Sequence, residues 1–269
     1  MVSFGCEARM DLIESRDERG VVALTLNRPH RRNALDAAMV RRLTEAFARL
    51  AADPDARVVV LSGAGGNFCS GGDIEAMKRA ASAERTENER DALALGEMFA
   101  ALDRLPKPTV ALVQGAAFGG GMGLVACCDI ALAAKAAKFC LSEVRLGLVP
   151  AVVGPYVLRA IGPRAMRALA LGAEIVGADC AFHMGLVHEV AQEGALISAR
   201  DRIVEALLLG APGAQAEVKR LVRLYENRTP DASLLMETAH LLAERRASPE
   251  GVEGLNGFLE KRRPDWRGL

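Results

Sequence analysis

The stretch TVALVQGAAFGGGMGLVACCDIALAA, residues 109–134, reads as a buried strand, a bare turn, a helix and a second buried strand in immediate succession. Both strand segments are apolar on successive residues, the pattern of strands covered on two faces. The helix between them opens on Gly119, Gly120 and Gly121, with a further glycine at Gly123, so its first turn offers backbone where side chains would ordinarily gather.

The same rhythm extends in both directions. VVALTLN (21–27), RVVVLSG (57–63) and KFCLSE (138–143) read as strands. LDAAMVRRLTEAFARLAADP lies between the first two, with Met39, Leu43, Phe47 and Leu50 on one helical stripe and Asp36 placed to cap its start. A second helical region runs from about Ile74 to Leu105 and stops at PKP. Strand and helix in alternation imply parallel sheet with right-handed crossovers, an α/β fold. Beyond about residue 155 helical patterns take over, and the chain divides softly into a core of residues 1–200 and a helical tail of residues 201–269. Helices that cannot all reach the core bury their apolar faces on one another or on another subunit.

Composition bounds the function. Apolar residues make up 51% and charged residues 25% of 269, which supports a folded core. Lys+Arg and Asp+Glu balance at 34 each, so no global field points to nucleic acid. No signal peptide or membrane-length apolar run is visible, and a cytoplasmic protein is expected. The cysteines Cys6, Cys69, Cys127, Cys128, Cys140 and Cys180 form no C-x-x-C pair, so neither disulfides nor a metal site is expected.

A second bare turn, NFCSGGDI (67–74), follows the strand at 57–63. Ligands of open α/β sheets bind at the carboxyl ends of strands, where helix N-termini add unpaired N–H donors. Two such turns facing each other would make an oxyanion hole. Tight turning and close helix packing are the structural alternative for either turn alone. A dinucleotide site is a further alternative, because Gly121, Gly123 and Ala126 fit G-x-G-x-x-A with Glu143 downstream. Against it, AAF intervenes after Gly115, and the next strand ends near Lys135 rather than on an acid.

FCSGGDI, VQGAAFGGGMGLVACCDIALAA and FCLSEVRLGLVP together resemble the enoyl-CoA hydratase/isomerase family, the crotonase superfamily. The resemblance continues from LTLNRPHRRNALD to EGVEGLNGFLEKRRPDW. It implies a spiral of ββα units, a helical C-terminal region that builds homotrimers or hexamers, and acyl-CoA thioester substrates, with no cofactor besides the CoA carried by the substrate. Carried over by position, the oxyanion donors are the N–H groups of Gly72 and Gly120. Ser70, Asp73 and Ile74 fall near the CoA adenine and pantetheine, and Arg28 near its phosphates. Gly119 and Gly123 complete the substrate-facing turn.

Hydratases of the family use two glutamates. The second matches Glu143, whereas the first position is Gly123. One carboxylate leaves two reactions open: water addition with Glu143 as base and acid in turn, or a proton shift between Cα and Cγ. A binding protein without chemistry is the third reading. The wider motif resembles a hydratase branch acting on branched, carboxylated substrates such as methylglutaconyl-CoA, for whose distal carboxylate Lys78 or Arg79 is a candidate partner. Asp129 reads as an anchor for backbone, Cys127 and Cys128 as packing residues, His183 and His188 as outside any metal pattern, and Tyr156 as a candidate wall of the acyl pocket.

Overall fold

The computed structural model describes residues 10–226, 228–266 and 268. Cys6 lies outside them. Strands β1 (Leu12–Arg16), β2 (Val21–Leu26), β3 (Val58–Gly63), β4 (Thr109–Val113), β6 (Ile130–Ala134) and β9 (Glu189–Ala191) form one sheet in the order β1-β2-β3-β4-β6-β9. Within this sheet the β1–β2 pair is antiparallel and the other described pairs are parallel. A second sheet joins β5 (Ala116–Phe118), β7 (Lys138–Cys140) and β8 (Val176–Gly177).

The helices are α1 (Ala37–Ala52), α2 (Ile74–Ala80), α3 (Arg85–Asp103), α4 (Gly120–Cys127), α5 (Gly154–Gly172), α6 (Ala178–His183), α7 (Leu196–Leu208), α8 (Pro212–Tyr225), α9 (Ala232–Ala247) and α10 (Pro249–Leu259). Successive units such as β1-β2-α1 and β4-β5-α4 repeat a ββα pattern.

The doubly apolar strands are covered on both faces, as their sequence requires. Val59, Leu61, Ala111 and Val113 enter the main core with Met39, Leu43, Phe47 and Leu50 of α1. Their alternates Val58, Val60, Val110 and Leu112 pack on the other face against Ala199 and Val204 of α7. The expected cap is present, since the Asp36 carboxylate accepts from Met39 N–H at 2.8 Å. Because α7 starts before residue 201 and ends after it, both sides of the expected division complete the sheet's second face.

Four strands escaped the sequence reading. β1 is an edge strand carrying Glu14, Ser15 and Arg16, so it has no apolar run. β5, β8 and β9 have three residues or fewer, too short for a periodicity. The helical region of residues 74–105 is two helices. α2 buries no residue, and side chains close its end, with Ser82 Oγ on Arg79 O at 3.2 Å and Asn88 Nδ2 on Ala80 O at 2.9 Å. KFCLSE leaves the strand at Cys140 and turns into a 3-10 helix, Glu143–Leu146.

The C-terminal helices keep much of their apolar surface outside. Met236, Leu242, Leu255, Phe258 and Leu259 are exposed, Phe258 to 81%. A cavity of about 650 Å³ separates α8 from the core, lined by Val125, Cys127, Ala214 and Val222. Among the described residues, no helix is long and apolar enough to cross a membrane.

Candidate active site

Three backbone segments are stitched side by side. Cys69 N–H donates to Ala116 O at 3.0 Å and Phe118 N–H to Cys69 O at 2.9 Å, which lays the first glycine turn along β5. Gly119 N–H donates to Cys140 O at 2.9 Å, which ties the second turn to the strand leading to Glu143. On its far side the first turn is held by Leu35, whose N–H donates to Gly71 O at 2.7 Å and whose carbonyl accepts from Asp73 N–H at 3.0 Å. Gly71 and Gly119 have φ of +92° and +48°, values that favour glycine. A Cβ at either Gly119 or Gly120 would lie 3.9 Å from Gly71 Cα, so the two turns face each other at van der Waals distance.

This stitching leaves two donors unused. Gly120 is the first residue of α4, where an N–H has no acceptor inside the helix. Gly72 is exposed, and neither its N–H nor that of Gly120 donates to another group among the described residues. The pair expected to form an oxyanion hole therefore lies on two facing turns, with neither N–H donating to another group among the described residues.

Glu143 is brought to the same place by the 3-10 turn after β7. Its Oε1 lies 3.1 Å from where a Cβ on Gly119 would stand, and its Oε2 is buried without a hydrogen-bond partner. Burial pushes the Glu143 carboxyl above the ordinary value of 4.5, with only its own N–H pulling the other way. A base must be ionised to act, so kcat/KM is expected to fall on acidification through a midpoint above 4.5. A pH–rate profile checks this, and a limb at or below the ordinary glutamate value would contradict it.

The position of the absent acid is occupied. A Cβ at Gly123 would lie 2.7 Å from Val153 Cγ1 and 2.9 Å from Phe99 Cε1, and both of those residues are buried. Gly123 is itself buried, so it is a packing position and not the open substrate surface expected of it. Gly119 donates its N–H to Cys140 O, which ties the turn to β7.

Arg28, expected near the CoA phosphates, is built into a network of ion pairs. Its side chain is 11% exposed, with Nη2 3.0 Å from Asp36 Oδ2 and 3.1 Å from Asp73 Oδ2, and Nη1 on Ala34 O at 2.7 Å. Asp73 correspondingly caps α2, accepting from Glu75 N–H at 2.9 Å. Burial opposes its ionisation, but the Ala76 and Glu75 N–H groups and the Arg28 guanidinium outweigh it and hold the carboxyl below its ordinary value. Arg28→Ala is expected to cost about 2–3 kcal/mol by leaving two carboxylates unpaired, with little change in KM. A denaturant melt paired with steady-state kinetics tests this, and a rise in KM without loss of stability would restore the phosphate role.

Ser70 and Ile74 flank Gly72, Ser70 half-buried and Ile74 67% exposed. Asp129 is an anchor, accepting from Thr109 N–H at 2.7 Å and pairing with Lys219 at 2.7 Å. Cys127 and Cys128 pack in the core. His188 joins β6 to β9, its Nδ1 accepting from Ala131 N–H at 3.0 Å, and His183 Nδ1 lies 2.7 Å from Asp179 O. Tyr156 packs on Phe99 at 6.0 Å between ring centroids. Phe99 and Val153 were invisible as site residues, because their approach to Gly123 joins distant positions of the chain.

The chain is similar to known proteins over nearly its whole length. The enoyl-CoA hydratase AKT6-1 of Alternaria alternata is 36% identical over 258 residues, covering 96% of this chain and 83% of the relative. The 1,2-epoxyphenylacetyl-CoA isomerase of Escherichia coli is 32% identical over 269 residues, covering 96% and 99%. The crystal structure of an enoyl-CoA hydratase from Shewanella pealeana superposes with a TM-score of 0.92 at 39% identity, covering 95% of this chain and 96% of that one. The family model described as enoyl-CoA hydratase/isomerase matches residues 16–268, and with the two facing glycine turns and Glu143 beside them, the chain belongs to the enoyl-CoA hydratase/isomerase family.

Proposed function

We propose that the chain is an enoyl-CoA hydratase with a single carboxylate. The observation that carries this reading is the buried, unpartnered Oε2 of Glu143 beside the unused N–H groups of Gly72 and Gly120. The two N–H groups hold the thioester oxygen and stabilise the enolate that forms on attack. Glu143 takes a proton from water as the water oxygen bonds to Cβ. It then returns that proton to Cα on the same face while the enolate collapses to the thioester. One proton leaves the carboxylate for each one it takes, so no second acid is required.

Isomerisation is the second reading, favoured by the packing at Gly123, which leaves no room for the acid that positions water in two-glutamate hydratases. Relatives carry both hydratase and isomerase names. A 2-enoyl-CoA loses its conjugated absorbance on hydration, and a 3-enoyl-CoA gains it on isomerisation. The proposal expects the first signal to dominate. Gain of absorbance alone would assign the isomerase, and no change with either substrate would leave an acyl-CoA-binding protein.

A branched or carboxylated acyl chain of the methylglutaconyl type is supported by the motif around GGGMG and SEVRLG. Lys78 and Arg79 are exposed on α2 beyond the first turn, Lys78 paired with Glu75 at 3.1 Å. A homotrimer or hexamer is supported by the uncovered apolar residues of α9 and α10.

A further inference from the structure

We propose that Phe99 is a positioning residue for the Gly120 N–H and that, with Val153, it commits the site to one carboxylate. The inference rests on the reading of Gly120 as an oxyanion donor.

The first turn of α4 is clamped from two sides. On one side a Cβ at Gly121 would lie 2.2 Å from Cys69 O, so the helix rests directly on the backbone of the first glycine turn. On the other side stands the Phe99 ring, contributed by α3 and fully buried. Its Cζ lies 3.9 Å from the Cβ position of Gly120 and 3.0 Å from that of Gly123, while Val153, at the start of α5, closes on Gly123 from the α5 side. Tyr156 of α5 backs the ring in turn.

Close-packed interiors transmit displacement, so the ring sets how far α4 stands from Gly71 and therefore where the Gly120 N–H points. Oxyanion stabilisation depends on donors preorganised at the developing charge, and a misplacement of about 1 Å can cost about 10²-fold in rate. The same ring fills the volume that a glutamate side chain at position 123 would need. Gly123 and Phe99 thus form one unit: the bare helix face and the ring that occupies it.

The test uses Phe99→Ala, the milder Phe99→Leu, Gly123→Glu and the Phe99→Ala/Gly123→Glu pair, each followed by thermal melting and by kcat and KM with the parent's own substrate. Phe99→Leu is expected to lower kcat about 10-fold or more, with KM within about threefold of the parent. A merely structural ring would lower Tm and leave kcat of the folded enzyme unchanged, and that result would overturn the positioning role. Gly123→Glu alone is expected to lower both Tm and kcat sharply. Adding Phe99→Ala should then recover part of the Tm lost to Gly123→Glu, since the cavity accepts the new side chain. Losses in Tm that simply add, or a Gly123→Glu variant as stable as the parent, would overturn the shared-volume claim. The melting arm needs no catalysis, so a failure of the hydratase reading shows in the parent's assays and leaves this coupling separately readable.

Discussion

Replacing Glu143 by glutamine is expected to lower kcat by about 10³- to 10⁴-fold, the upper end of what one acid–base group contributes, because in the proposed mechanism one group serves both proton transfers. Glutamine keeps the shape and cannot take the proton. KM should change little, since the two N–H donors are untouched. Single-turnover absorbance with the purified variant measures the chemical step directly. Activity within tenfold of the parent would remove Glu143 from the mechanism.

The same variant carries a stability signature of the opposite sign. Burial raises the Glu143 carboxyl in the folded state above its ordinary value of 4.5. The folded chain therefore holds this proton more tightly than the unfolded chain. The stability so gained is fully present below pH 4.5 and is lost as pH rises through the higher folded value. At neutral pH the parent keeps a buried carboxylate with one oxygen unpaired, which the glutamine variant lacks. Glu143→Gln should thus melt above the parent at pH 7 to 8, and the gap should close on acidification. A variant that is inactive yet more stable fits a site held in tension for catalysis.

Gly120→Pro carries the second large effect, about 10²- to 10³-fold in kcat, because it deletes one proposed oxyanion donor from the backbone itself. Proline is tolerated at the first position of a helix, and Gly120 is the first residue of α4. The preceding Gly119 has no Cβ for the proline ring to strike, and the nearest obstacle to the new Cβ is Leu35 Cδ1 at 3.0 Å, the tip of a movable side chain. The ring also intrudes where the thioester oxygen would sit, so KM should rise as well. Circular dichroism and Tm close to the parent's would establish that α4 survives. Unchanged kcat in such a folded variant would show that the Gly120 N–H does not hold the oxyanion.

Much of this site was legible in the primary structure. The turns at 67–74 and 116–123 announce themselves because they place several glycines directly after apolar strands, and glycine frequency is a local property. Glu143 stood out through the motif around it. What the sequence left out shares a cause. Arg28 was expected near the CoA phosphates, and its ion pairs with Asp36 and Asp73 were not visible because Asp73 is far along the chain. That Gly119 N–H is claimed by Cys140 across the second sheet was not visible either. Short strands such as β8 and β9 carry no periodicity and exist only because a neighbour supplies their hydrogen bonds.

By itself the sequence determined the α/β class, the strands buried on two faces, the cap at Asp36 and the two bare turns, and it singled out Glu143 as the candidate acid. Those features follow from the spacing of apolar residues and from the lack of side chains at a few positions, which are written locally. Only the tertiary structure decided that the two turns touch, that Glu143 Oε2 ends buried and unpaired, and that Phe99 and Val153 fill the place at Gly123. Each of these depends on which distant segments share a volume, and close packing settles that only when the whole chain is folded.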